Sequence, residues 1–96
     1  MPREIVWLPD AVRDVARLKE VIREKNPIAA QRAASRIKEA SLILKENPQA
    51  GKPVEEVLPF RDLLIPFGSG NYVHRYREDE DRVVIVRVRH SREETI

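Results

Sequence analysis

Tyr72-Val73-His74-Arg75-Tyr76-Arg77, followed by Glu78-Asp79-Glu80-Asp81 and then by Val83-Val84-Ile85-Val86-Arg87-Val88-Arg89, is the stretch that decides the fold. Its first part alternates in residue type, its middle is all carboxylate, and its last part is largely β-branched. Two strands joined by an acidic turn satisfy all three. Strict alternation then predicts Val84, Val86 and Val88 on one face of the last strand, opposed by Val83, Ile85, Arg87 and Arg89. Just upstream, Phe60–Phe67 is apolar and extended although Pro66 interrupts it, and Gly68-Ser69-Gly70-Asn71 forms a further turn. The three strands read as an antiparallel meander with one buried face and a second that becomes basic toward its end.

Further toward the N-terminus the period changes. Ala30, Ala33, Ile37, Ala40 and Leu44 recur at helical spacing between Pro27, suited to a first turn, and Asn47-Pro48. An earlier stripe of Ala11, Val15, Leu18 and Ile22 predicts a helix opened by Asp10 and ended at Asn26-Pro27. Alanine-rich faces let helices approach closely, so residues 10–47 read as an antiparallel hairpin with a loop of about three residues. Ahead of it Glu4-Ile5-Val6-Trp7-Leu8, stopped by Pro9, is a short strand with Trp7 as a core anchor. Residues 48–59 have no period and read as a connector. The order β-α-α-β-β-β defines an α+β fold, a single domain over 1–96 with a helical hairpin packed on a mostly antiparallel sheet.

Composition narrows what such a domain does. Its 96 residues, 42% hydrophobic and 35% charged, suffice for one modest core. The balance of 18 Lys+Arg against 16 Asp+Glu leaves a net charge of +2, too little to announce a nucleic-acid binder. With no cysteine there is no disulfide, Cys-based zinc site or thiol nucleophile. The longest apolar run, Val83–Val86, is far short of the ~20 residues that cross a bilayer. No stretch of signal-peptide character follows Met1-Pro2-Arg3-Glu4. The expectation is a soluble, cytoplasmic protein without a membrane partner.

Candidate chemistry is sparse. His74 lies mid-strand and reads as structural; His90 follows the last strand and reads either as a general base beside Arg89 and Arg92 or as a solvated loop residue. Neither histidine has metal-ligand spacing, and the acidic run lacks the pattern of a calcium loop, so no metal or cofactor is expected. The glycine-rich turn precedes no helix and is no phosphate cradle. The basic set is more informative. Arg75, Arg77, Arg87 and Arg89 fall close together across the predicted ladder, with Arg92 beyond it. Such a cluster either meets an anionic partner or pairs with Glu78, Glu93 and Glu94. Tyr72 and Tyr76, the aromatics nearest to it, read as sheet packing and not as base-stacking platforms.

Trp7-Leu8-Pro9-Asp10-Ala11, Tyr72–Arg77 and Val84–Glu93 together resemble the RelE/ParE toxins of type II toxin–antitoxin systems, in the ParE-like branch, over essentially the whole chain. The resemblance implies a toxin neutralised by a cognate antitoxin, whose acidic or amphipathic C-terminal segment wraps around it, and a role in plasmid stabilisation. RelE-like members cut mRNA on the ribosome with basic residues and a C-terminal tyrosine. Aligned on the Tyr72…Tyr76 strand and Arg92-Glu93, two lysines of that set fall on Leu64 and Pro66, its arginine on Val73, and its tyrosine beyond Ile96; only Arg92 matches. One electrostatic contact in such a site is worth ~10²–10³ in rate, so loss of most of them implies a non-enzymatic protein. ParE-like members inhibit DNA gyrase without chemistry of their own, and that is the expectation here. The partner surface is then Arg75, Arg77, Arg87, Arg89 and Arg92. The alternative is a RelE-type endoribonuclease acting on the ribosome through His90 and Arg92.

Overall fold

The computed structural model describes residues 3–68 and 70–91. In chain order the elements are β1 (Glu4–Trp7), α1 (Pro9–Arg23), α2 (Pro27–Glu46), β2 (Lys52–Pro53), a single 3-10 turn (Glu55–Val57), β3 (Arg61–Phe67), β4 (Gly70–Glu78) and β5 (Arg82–His90). The strands form one sheet in the order β1-β5-β4-β3-β2. The expected meander is β3-β4-β5. β1 joins it in parallel, with Glu4 opposite Arg82 and Trp7 opposite Ile85. The connector without period supplies the short edge strand β2, opposite Arg61 and Asp62.

Local chemistry sets the helix ends. α1 starts at Pro9, a residue earlier than Asp10, because proline's fixed φ and missing N–H suit a first turn. Asp10 makes no cap; it lies in that turn and pairs with Arg13. Asn26 caps α2, its side-chain oxygen accepting the Ala29 N–H at 3.1 Å. Every member of the predicted α2 stripe is buried, as are Ala11 and Leu18 of α1, with Val15 and Ile22 packed at the margin. Across from them lie Ile65, Tyr72, Tyr76, Val83, Ile85 and Val88 of the sheet.

The presence of Val88 in that group corrects the alternation expected for β5. Arg75 pairs with Arg87, yet the next residue, Tyr76, pairs with Ile85, so Val86 is an unpaired extra residue in a β-bulge. Past the bulge the faces exchange. Val83, Ile85, Val88 and His90 share the helix side with Tyr72, His74 and Tyr76, while Val84, Arg87 and Arg89 lie on the other side. A period-2 pattern holds no signature of one inserted residue, which is why Val84, Val86 and Val88 do not share a face.

Two local devices close the structure. The buried Tyr76 hydroxyl donates to the Pro48 carbonyl and accepts the Gly51 N–H, both at 2.8 Å, fastening the connector to β4. Gly68, at φ +63°, supplies the left-handed residue that the tight β3–β4 turn requires.

Candidate functional site

The side of the sheet turned away from the helices carries the predicted basic residues. Register places them in three rows across the strands. Leu64, Val73 and Arg89 make one; Asp62, Arg75 and Arg87 the next; Arg77, Val84 and Val6 the last. Side chains directly opposite on a ladder are neighbours, so the sequence places Arg75 against Arg87, like charge on like.

That repulsion is relieved from within. Arg75 makes a two-pronged contact with Asp62, Nε to Oδ1 at 3.0 Å and Nη2 to Oδ2 at 3.1 Å. Its hydrogen bond to Asp62 outweighs burial and raises the guanidinium pKa further. Arg87 turns round the edge of β5 to Asp14 of α1, Nε to Oδ2 at 2.8 Å and Nη2 to Oδ1 at 3.1 Å. Arg77 meets Asp79 of the acidic turn at 3.4 Å. Glu78, offered by the sequence as a partner for this cluster, instead meets Arg3 at 2.8 Å. Arg89 is half-buried and makes no ion pair among the described residues. Arg92, Glu93 and Glu94 lie outside the described residues.

Asp14 is the residue that sequence reasoning missed. β1 ends at Trp7, opposite Ile85, so the edge of β5 beyond it lacks a strand partner. Asp14 Oδ2 accepts the Val88 N–H there at 2.9 Å. Burial pushes this carboxyl upward, but Arg87, the Val88 amide and Arg17 outweigh it and hold the pKa below the ordinary value. The signal was available: Asp14 lies three residues after Ala11 and four before Leu18, a charge on the apolar stripe of α1.

The two histidines lie in different settings. His74 is fully buried on the helix side, between Leu63 and Val88 in the ladder, with its ring edge-on to Trp7 at 5.9 Å. Neither ring nitrogen has a hydrogen-bond partner among the described residues, and burial lowers the pKa to about 4. His90 does not follow the last strand but ends it, packed edge-on against Tyr72 at 5.3 Å. A methyl group on Gly70 would lie 2.7 Å from its ring, so a glycine makes room for the imidazole. Proximity to Tyr72 therefore replaces the solvated loop position expected from sequence. Leu64 is exposed, Pro66 is exposed and Val73 is buried, all in the meander where the resemblance sets the nuclease cations.

Trp7 has a second aspect beside its packing role. It forms the floor of an apolar cleft of about 420 Å³ between α1 and α2, walled by Val12, Val15, Ala16, Ala34, Ile37 and Lys38. Ala16 and Ala34 on its walls are too short to fill the space above the indole.

A helical hairpin on one side of a five-stranded mixed sheet, with a charge-laced opposite side, defines the class of compact α+β toxins to which the sequence pointed. The chain belongs to the ParE toxin family: residues 5–95 match the family described as ParE toxin of type II toxin-antitoxin system, parDE. Toxin RelE2 of Caulobacter vibrioides is 35% identical over 88 residues, covering 92% of this chain and 94% of that protein. Toxin RelE3 of the same organism is 35% identical over 85 residues, covering 88% and 90%. A chain from the chromosomal ParDE TA system of P. aeruginosa shares the fold, with a TM-score of 0.78 at 22% identity over 92% of this chain and 95% of that one. Among the described residues no helix is long and apolar enough to cross a membrane.

Proposed function

We propose that this toxin acts without catalysis, by binding and inhibiting DNA gyrase, and that a cognate antitoxin neutralises it. The observation that carries the reading is the trio Leu64, Pro66 and Val73. A scissile phosphodiester needs fixed positive charge around it, and these side chains offer none. His74, which could have compensated, is sealed in the core as a neutral ring. For the antitoxin, two features support a peptide partner. The apolar cleft floored by Trp7 suits the apolar face of a helix, and the arginine rows, on the opposite side of the sheet, suit the carboxylates of another segment of the wrapping chain. Arg75, Arg77, Arg87, Arg89 and Arg92 form the electrostatic part of this proposed surface.

The test is a supercoiling assay with purified toxin. Supercoiling should fall at stoichiometric toxin, and full gyrase activity in excess of folded toxin would end the gyrase reading. The RelE names of the Caulobacter relatives favour a second reading, ribosome-dependent mRNA cleavage through His90 and Arg92. Primer extension on translated mRNA separates the two. Codon-specific cuts that disappear on changing His90 or Arg92 would establish the second reading in place of the first.

A further inference from the structure

We infer that Arg89, at the end of the Leu64–Val73–Arg89 row, is the anchoring cation for a single carboxylate carried on an apolar segment of the antitoxin. The inference rests on the antitoxin reading above and narrows it from five arginines to one site.

The argument is one of availability. A guanidinium already gripped by a carboxylate gains little from a second one, because the fork that matches an acid is occupied. Arg75 and Arg87 are held in that two-pronged way by Asp62 and Asp14. Arg77 is engaged by Asp79, which also meets Arg82 at 3.5 Å. Arg89 alone of the four described arginines in the set has no such anion among the described residues. Its neighbours along the row are apolar: Val73 is 3% exposed beside it, and Leu64 beyond is 52% exposed. An exposed leucine on β3, in one row with a half-buried cation that has no ion pair among the described residues, matches an occupant with aliphatic side chains flanking one acid. A phosphate backbone would instead call for several free cations, and this row holds one.

The probes are two blocked tripeptides, acetyl-Leu-Asp-Leu-amide and acetyl-Leu-Asn-Leu-amide. They are titrated into the full chain while the Leu64 and Val73 methyls and the Arg89 guanidinium are followed by NMR. The Asp peptide should shift these signals with roughly ten-fold higher affinity than the Asn peptide, as expected for a close, partly desolvated charge pair, and Arg89→Gln should erase the difference. Equal response to both peptides, no response, or shifts centred on Arg75 and Arg87 would overturn the site. A second arm measures binding of the protein encoded beside the toxin gene to the wild type and to Arg89→Gln, with Trp7 fluorescence as the check on folding. A weaker complex with a flatter salt dependence supports the antitoxin as occupant. An unchanged complex beside a responsive tripeptide would overturn the antitoxin as occupant, and no complex at all would remove the antitoxin reading itself while the tripeptide arm still judges the site.

Discussion

Toward the helices the sheet presents Tyr72, Tyr76, Val83, Ile85 and Val88, interlocked with the apolar stripes of α1 and α2; away from them it presents Asp62, Arg75, Arg77, Arg87 and Arg89. The first side is held by excluded water, a non-directional term that tolerates any apolar group of suitable volume. The second is held by directed contacts, each requiring a particular carboxylate in a particular place. One consequence is unequal sensitivity. On the helix side His74 is a buried polar ring with no hydrogen-bond partner among the described residues, and on the outer side Arg87 reaches across to Asp14 of the helices. Those two exceptions give the sharpest ways to test the contrast.

Asp14→Ala should have the largest effect on stability. It removes the acceptor of the Val88 N–H and both contacts to Arg87, leaving a buried strand amide without a partner. The expected loss is about 2–4 kcal/mol, near the lower part of the range for broken buried pairs because the Arg87 side chain is 36% exposed and can turn to water. Urea denaturation measures it. A loss below about 0.5 kcal/mol would mean that α1 packing alone holds the β5 edge, since a surface substitution costs no more than that. Asp14→Asn sharpens the result, because it keeps an acceptor for Val88 while removing the charge that Arg87 meets. The carboxyl's depressed pKa adds a sign. Its contribution is complete above the unfolded pKa and disappears as pH falls through the lower folded value.

His74 tests the other side. Its folded pKa, about 4, lies below the unfolded value of 6.5, so the unfolded chain binds the proton first as pH falls. Stability should therefore be full above pH 6.5 and decline toward pH 4, by up to about 3 kcal/mol across that interval. Thermal melting at a series of pH values reads this directly. In His74→Leu the decline over that interval should shrink, and stability at neutral pH should hold or rise, because two orphaned ring nitrogens leave an apolar site. A wild type as stable at pH 4.5 as at pH 7 would show that the ring finds water or opens without cost.

Much of the helix side was legible because burial imposes a period. Ala30, Ala33, Ile37, Ala40 and Leu44 announce their face at any register, and the prolines at 9, 27 and 48 mark where elements change. The outer side was legible in composition and not in connection. Its arginines were evident, yet their partners were not: Asp62 is 13 residues from Arg75 and Asp14 is 73 from Arg87. The bulge at Val86 compounded this, because all four valines and isoleucines of residues 83–86 are equally suited to either face of a strand. Asp14, which went unremarked, and His74, read as structural but with no surroundings assigned to it, share one feature. A polar residue at an apolar position gives a contradiction in sequence, and only the surrounding fold decides whether a partner resolves it, as Arg87 and Val88 do for Asp14, or none among the described residues does, as at His74.

The smallest predicted effect lies where the outer side is most like a surface. Arg75 and Asp62 form as good a fork as Arg87 and Asp14, but their side chains are 28% and 21% exposed and β2 shields them only at the sheet margin. Water competes for both partners, so a double-mutant cycle of Arg75→Ala with Asp62→Ala should give a coupling of about 0.5–1 kcal/mol, lower in high salt. The like-charge pair Arg75–Arg87 sets the sign of the single changes. Asp62→Ala leaves Arg75 charged opposite Arg87 and should cost more than Arg75→Ala, which removes that repulsion together with the bond. The reverse order would mean that Asp62 is itself burdened by nearby Glu55 and Glu56, and that the acidic margin dominates this end of the sheet.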